Sequence, residues 1–153
     1  MVQTDIKYTG GDNMISLIIG HKGTGKTKVL VDKVNEAVHV SSGNVVCVEK
    51  ETKLTYDVNY RARLVATDTF GVVGYDAFYG FLAGICAGDH DITDIFVDAT
   101  FRIAANRDGD ALEAFLKKVN DLSAISDTKF TFTISTDLEN LPESLFAFCE
   151  KLN

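Results

Sequence analysis

Eight residues, Gly20-His21-Lys22-Gly23-Thr24-Gly25-Lys26-Thr27, constrain this chain more than any other stretch. They follow the apolar run Met14-Ile15-Ser16-Leu17-Ile18-Ile19 and precede apolar positions Leu30, Val34, Ala37 and Val38, which recur at helical intervals. The order is strand, glycine-rich turn, helix. Glycines at 20, 23 and 25 allow positive φ and leave no Cβ in the way, so the turn can aim its backbone N–H groups at one anion beside a helix N-terminus. A lysine and a hydroxyl residue directly after the last glycine bring a cation and a hard oxygen to the same point. A turn that only caps a helix has no need of Lys-Thr at this offset.

The spacing Gly-x-x-x-x-Gly-Lys-Thr is that of the Walker A motif, and on it the chain resembles the P-loop NTPase superfamily. The resemblance implies a site for ATP or another nucleoside triphosphate with Mg²⁺. Gly20, His21, Lys22, Gly23, Thr24, Gly25, Lys26, Thr27 and the following Lys28 would surround the phosphates. Lys26 would bridge the β- and γ-phosphates as a catalytic cation, and Thr27 would offer its hydroxyl to the metal.

The rest of the chain alternates strand and helix signals. Residues 1–13 are polar, contain Gly10-Gly11 and read as a flexible tail ahead of one nucleotide-binding domain over 14–153. The β-branched run Val45-Val46-Cys47-Val48 predicts a buried parallel strand ending at Glu49, and Ala62 to Ala66 a shorter strand near an edge. Tyr75, Phe78, Leu82 and Ile85 predict a helix, in which Gly80 and Gly84 would allow close approach to a neighbour. Ile95-Phe96-Val97-Asp98 predicts a strand closing on an acid, Leu112 to Leu122 a helix, and the alternating Phe130-Thr131-Phe132-Thr133-Ile134 a strand with one less apolar face. A last helix is expected from Pro142, with Leu145, Phe146, Cys149 and Leu152 inward. Together these predict an α/β, three-layer sandwich around a mainly parallel sheet of about five strands, and the Walker A resemblance implies the P-loop NTPase fold.

Chemistry is expected where apolar strands end in polar residues, because ligands of open parallel sheets bind outside the strands' carboxyl ends. Asp98 is the candidate Walker B metal ligand. Ala99 follows it, so the Asp-Glu pair of many P-loop ATPases is missing. The chain is similar here to RecA-like ATPases, whose catalytic glutamate ends the strand after the P-loop helix. That resemblance makes Glu49 the general base, with Glu51 as substitute, and Ser135 and Thr136 the polar residues that sense the γ-phosphate. It also implies a ring or filament in which a neighbour's arginine reaches the phosphate, with Arg102, Arg107, Arg61 and Arg63 as candidates. ParA- and MinD-like proteins carry a second lysine directly after the first loop glycine, where this chain has His21.

Composition sets the exclusions. A formal charge of −7 works against sequence-independent nucleic-acid binding, which depends on lysines and arginines displacing counterions. No apolar run approaches the roughly 20 residues of a membrane span, and the first residues lack a signal-peptide pattern, so a cytoplasmic protein without a membrane partner is expected. Cys47, Cys86 and Cys149 are odd in number and set in apolar surroundings, as reduced core thiols are. The functional expectation is a slow ATPase acting alone, as a homo-oligomer or with a protein partner. Two alternatives stand beside it: a phosphotransferase resembling thymidine kinases, for which no arginine-rich lid is visible, and a non-hydrolysing module whose nucleotide state controls a partner.

Overall fold

The computed structural model describes residues 13–153. The expected tail falls outside the described residues except for its last, Asn13. Strand β1 (Ile15–Gly20) runs into the glycine-rich turn and helix α1 (Lys26–Val40). Then come β2 (Asn44–Glu49), β3 (Arg63–Ala66), α2 (Tyr75–Gly88), β4 (Ile92–Val97), the short α3 (Thr100–Ala104), α4 (Gly109–Ser126), β5 (Lys129–Ser135) and β6 (Cys149–Lys151). The strands form one sheet in the order β3-β2-β4-β5-β1-β6, and every pairing is parallel.

Alternation along the strands divides the core in two. On one face Ile15, Leu17 and Ile19 of β1, Val46 and Val48 of β2, Ile95 and Val97 of β4 and Phe130, Phe132 and Ile134 of β5 pack with the inner residues of α2, α3 and α4. On the other, Ile18, Val45, Cys47 and Phe96 pack under Leu30, Val34 and Ala37 of α1. Helices therefore cover both faces, compatible with the expected three layers. Aromatic rings join the first set: Phe115 of α4 stacks on Phe78 of α2 at 4.8 Å between ring centres and meets Phe132 of β5 edge-on at 5.9 Å. The less apolar face of β5 carries Thr131 and Thr133, both buried.

Three expectations need correction. Among the described residues the sheet has six strands, and the segment after Pro142 is not a helix: Glu143–Ala147 makes a 3-10 turn, and Cys149–Lys151 then pairs with β1. Leu145 and Cys149 are buried as a helix would have buried them, but the open edge of β1 supplies backbone partners that a short terminal helix would forgo. Leu152 N–H donates to Leu17, and the Asn153 amide both donates to and accepts from the Ile19 backbone. Finally, Gly80 and Gly84 permit no close approach. Both are exposed, and a Cβ on either would meet nothing within 4 Å. Phe78, Leu82 and Cys86 form the buried face of α2, and residues two positions along point away from it.

All three cysteines are free and buried. Burial first, then the Glu49 and Asp98 charges, pushes the Cys47 thiol up to about 12. Burial likewise raises Cys149 to about 12 and raises Cys86. Thiolate is the reactive form, so the native protein should resist iodoacetamide at pH 8 and take up label at all three cysteines only when unfolded. Mass spectrometry of native and urea-treated samples reads this directly; rapid labelling of the native protein at Cys47 would contradict the packing around β2.

Candidate functional site

Because the sheet is wholly parallel, the carboxyl ends of its strands share one edge, and a cleft of about 750 Å³ opens there. The turn after β1 forms one wall. Gly23 and Gly25 both adopt φ of +86°, which side-chain-bearing residues rarely do. Gly20 has a different reason: a Cβ there would lie 2.7 Å from Thr24 Oγ1. The His21 carbonyl gathers the turn, accepting from Thr24 N–H at 3.3 Å, Thr24 Oγ1 at 2.7 Å and Lys26 Nζ at 2.7 Å. Lys26 is buried, and desolvation holds its ammonium below the ordinary lysine value while the nearby Asp98 charge acts the other way.

Opposite stands Asp98, just past β4. Its carboxylate accepts from Thr27 Oγ1 at 3.2 Å to each oxygen and from Thr133 Oγ1 at 2.9 Å. Ala99, which follows, is left-handed at φ 70°, and its N–H donates to the same Thr133 hydroxyl at 2.7 Å. A non-glycine residue in that region stores strain, here next to the acid it positions. One buried hydroxyl thus fixes both the carboxylate and the turn behind it. This arrangement depends on β5 lying between β1 and β4, which puts Thr133 between the glycine-rich turn and Asp98.

Among the lining residues Lys22, Lys26, Arg102 and Arg107 supply four basic side chains against the two carboxylates of Asp98 and Asp137. The cleft of an acidic chain is therefore locally positive and suits a polyanion. His21 Nε2 lies 2.6 Å from Asp137 Oδ1, tying the first turn to the segment after β5. The Thr27 hydroxyl and Asp98 are hard oxygen donors converging on one point. Mg²⁺ is commonly held by one or two protein oxygens, with phosphate and water completing its shell, so this donor set fits it. Among the described residues no group of three or more His, Cys, Asp or Glu could hold a metal.

Most of the expected residues meet at the cleft: His21, Lys22, Gly23, Gly25, Lys26, Thr27, Asp98, Ser135 and Thr136 all line it. Thr24 stands behind the turn, bonded to His21. Lys28 does not line the cleft; it pairs with Asp32 at 3.2 Å along the outer surface of α1. Glu49 is also absent from the lining. It is buried, and its carboxylate accepts the backbone N–H of Lys53 at 2.9 Å and of Leu54 at 3.4 Å, while desolvation raises its pKa above the ordinary glutamate value. Arg102 and Arg107 reach the cleft, whereas Arg61 and Arg63 border a separate groove beside β3. Thr133 was not singled out from the sequence, although period-two alternation places it on the same face of β5 as Ser135. Asp137 and Asn140 carry no local signal at all.

No protein-family model matches this chain, and a search of curated proteins returns no match. Among the described residues no helix is long and apolar enough to cross a membrane.

Thr133→Val keeps the shape but removes a donor to Asp98 and the acceptor of Ala99 N–H. It should lower unfolding stability by about 1–3 kcal/mol, the cost of orphaning a buried polar group, with Thr133→Ser near wild type. Urea denaturation measures both; equal midpoints for Val and wild type would show that this hydroxyl does not hold the turn.

Proposed function

We propose that the cleft binds a nucleoside triphosphate, ATP or another NTP, together with Mg²⁺, and hydrolyses it slowly, in the manner of a P-loop NTPase with a RecA-like layout. One observation carries this reading: Lys26 and Thr27, at the start of α1, converge with Asp98 across a positively charged cleft. Lys26 neutralises phosphate oxygens, and its buried amine favours a strong anionic partner over water. Thr27 and Asp98 hold the metal, and Thr133 holds Asp98 in place. Held there by Thr27 and Asp98, Mg²⁺ would supply positive charge to offset the charge that develops on the phosphate oxygens. The left-handed Gly23 and Gly25 let the backbone approach the phosphates.

Glu49 is the proposed base for the attacking water. It is buried outside the cleft lining with both oxygens engaged by backbone amides, so it meets a water in the cleft only when the turn over Lys53 and Leu54 moves, and turnover is slow. The same engagement favours a second reading, a nucleotide-dependent regulatory module that binds without hydrolysis. A kinase-like phosphotransferase draws less support, since only two arginines, Arg102 and Arg107, line the cleft.

Calorimetric titration with ATP and with GTP, each with Mg²⁺, should show saturable binding that Lys26→Ala weakens by about 10- to 100-fold, the worth of a charge-assisted contact. Asp98→Asn should abolish the dependence of binding on Mg²⁺. Binding of neither triphosphate would overturn the proposal. Phosphate release on the same samples separates hydrolase from regulator: Glu49→Gln should stop turnover with affinity retained, and unchanged turnover would remove Glu49 from the reaction.

A further inference from the structure

Two arginines enter the cleft, and they are held in different ways. Arg107 donates through Nη2 to the Ser135 carbonyl at 2.6 Å, and its guanidinium lies 5.3 Å from the centre of the Phe101 ring. A backbone carbonyl and an aromatic face keep it where it is. Arg102 is placed by α3, one turn past Asp98, and has a different partner. Its Nη2 donates to Glu51 Oε1 at 2.6 Å, and the Lys53 ammonium stands 3.5 Å from the same oxygen. Both side chains of the pair are about half exposed, 53% for Arg102 and 42% for Glu51. Such a pair lies in water, is screened by salt and is easily exchanged.

Glu51 does not line the cleft, whereas Arg102 does, beside Asp98 and Thr27. The guanidinium is therefore drawn to one side by a single carboxylate, within the same cavity that would receive the phosphates. A triphosphate carries several negative charges and presents paired oxygens that match the planar fork of an arginine better than one exposed carboxylate does. Arg102 also stands on the β4 side of the cleft, with the metal-binding oxygens, and not on the side where His21 meets Asp137. That is the end at which the outermost phosphate would lie if Thr27 and Asp98 hold the metal.

We propose that Arg102 recognises the terminal phosphate of a triphosphate bound to its own chain, and that Glu51 holds it aside until that phosphate arrives. The inference rests on the nucleotide reading above and adds to it the group that tells triphosphate from diphosphate without a neighbouring subunit. Binding exchanges the Arg102–Glu51 pair for an Arg102–phosphate pair. The exchange frees the turn that carries Glu51 and Lys53, and this turn is also clamped by Glu49 through the Lys53 and Leu54 amides. Occupancy of the terminal phosphate site is thereby linked to the segment that restrains Glu49.

The test is titration of the wild type, Arg102→Ala, Arg102→Lys and Glu51→Gln with Mg-ATP and Mg-ADP, or with the GTP pair if guanine nucleotides bind more tightly. Circular dichroism should show all four folded alike, since the substituted side chains are half exposed. Arg102→Ala should lose about tenfold or more in triphosphate affinity while diphosphate affinity stays within a factor of about two. Arg102→Lys, with charge but no fork, should recover part of the loss. Glu51→Gln should bind triphosphate more tightly than wild type, because the competing carboxylate is gone, and bind diphosphate equally. Wild-type binding with the same triphosphate-to-diphosphate ratio in Arg102→Ala would overturn the Arg102 assignment and leave the nucleotide site standing. Weaker triphosphate binding by Glu51→Gln would overturn the holding role of Glu51. A wild type that binds no triphosphate would overturn the nucleotide reading and this inference with it.

Discussion

Every strand of the sheet runs in the same direction, and that constraint gathers all six carboxyl ends along one edge. Parallel neighbours cannot be joined by tight hairpins; each crossover must pass over a face of the sheet, and here helices cover both faces. Strands buried on both sides are apolar through their buried stretches, as Val45 to Val48 of β2 and Ile95 to Val97 of β4 are. Charged residues then fall mostly toward strand ends, where the backbone leaves the sheet. The turn after β1, Glu49, Asp98 and Ser135 all occupy that position, so concentration of charge there follows from the topology.

Within that edge the placement of β5 between β1 and β4 matters most. It separates the glycine-rich turn from Asp98 by the width of one strand, and the Thr133 hydroxyl on it donates to the Asp98 carboxylate and accepts from the Ala99 N–H that follows. An apolar residue at 133 would pack equally well and would leave the Ala99 N–H and the carboxylate without this partner. Thr133 is buried although it faces a core layer, which is tolerable because a buried hydroxyl with partners carries little net penalty.

Two carboxylates two positions apart, Glu49 and Glu51, behave differently for the same reason. Glu49 ends β2, is buried, and becomes the acceptor for the turn that follows it. Glu51 lies beyond the sheet edge, half exposed, where the hydrogen bond from Arg102, with Lys53 adding to it, holds its carboxyl below the usual carboxylate range. Burial therefore makes one a fixed clamp, and exposure leaves the other an exchangeable partner. The β3 side of the sheet, with Arg61 and Arg63, is remote from this chemistry despite its basic sequence.

Local pattern was enough to read much of this molecule. Strand alternation, helical spacing and the Gly20–Thr27 turn are short-range properties, set by backbone geometry and by which faces must leave water, and they identified β1 to β5, the three longer helices, the turn and Asp98 as the end of a strand. The exchange of a terminal helix for β6, the outward direction of Gly80 and Gly84, the burial of Glu49, the pairing of Lys28 with Asp32 instead of the cleft, and the meeting of Thr133, Asp98, Arg102 and Glu51 depend on partners up to dozens of residues away. A hydrogen bond or an open sheet edge is satisfied by whichever group the chain brings near, and no local pattern encodes which one that is. Sequence alone determined the elements from β1 to β5 and the positions of the glycine-rich turn and Asp98 along them; tertiary structure decided which side chains share the cleft, because only packing brings separate strand ends within bonding distance.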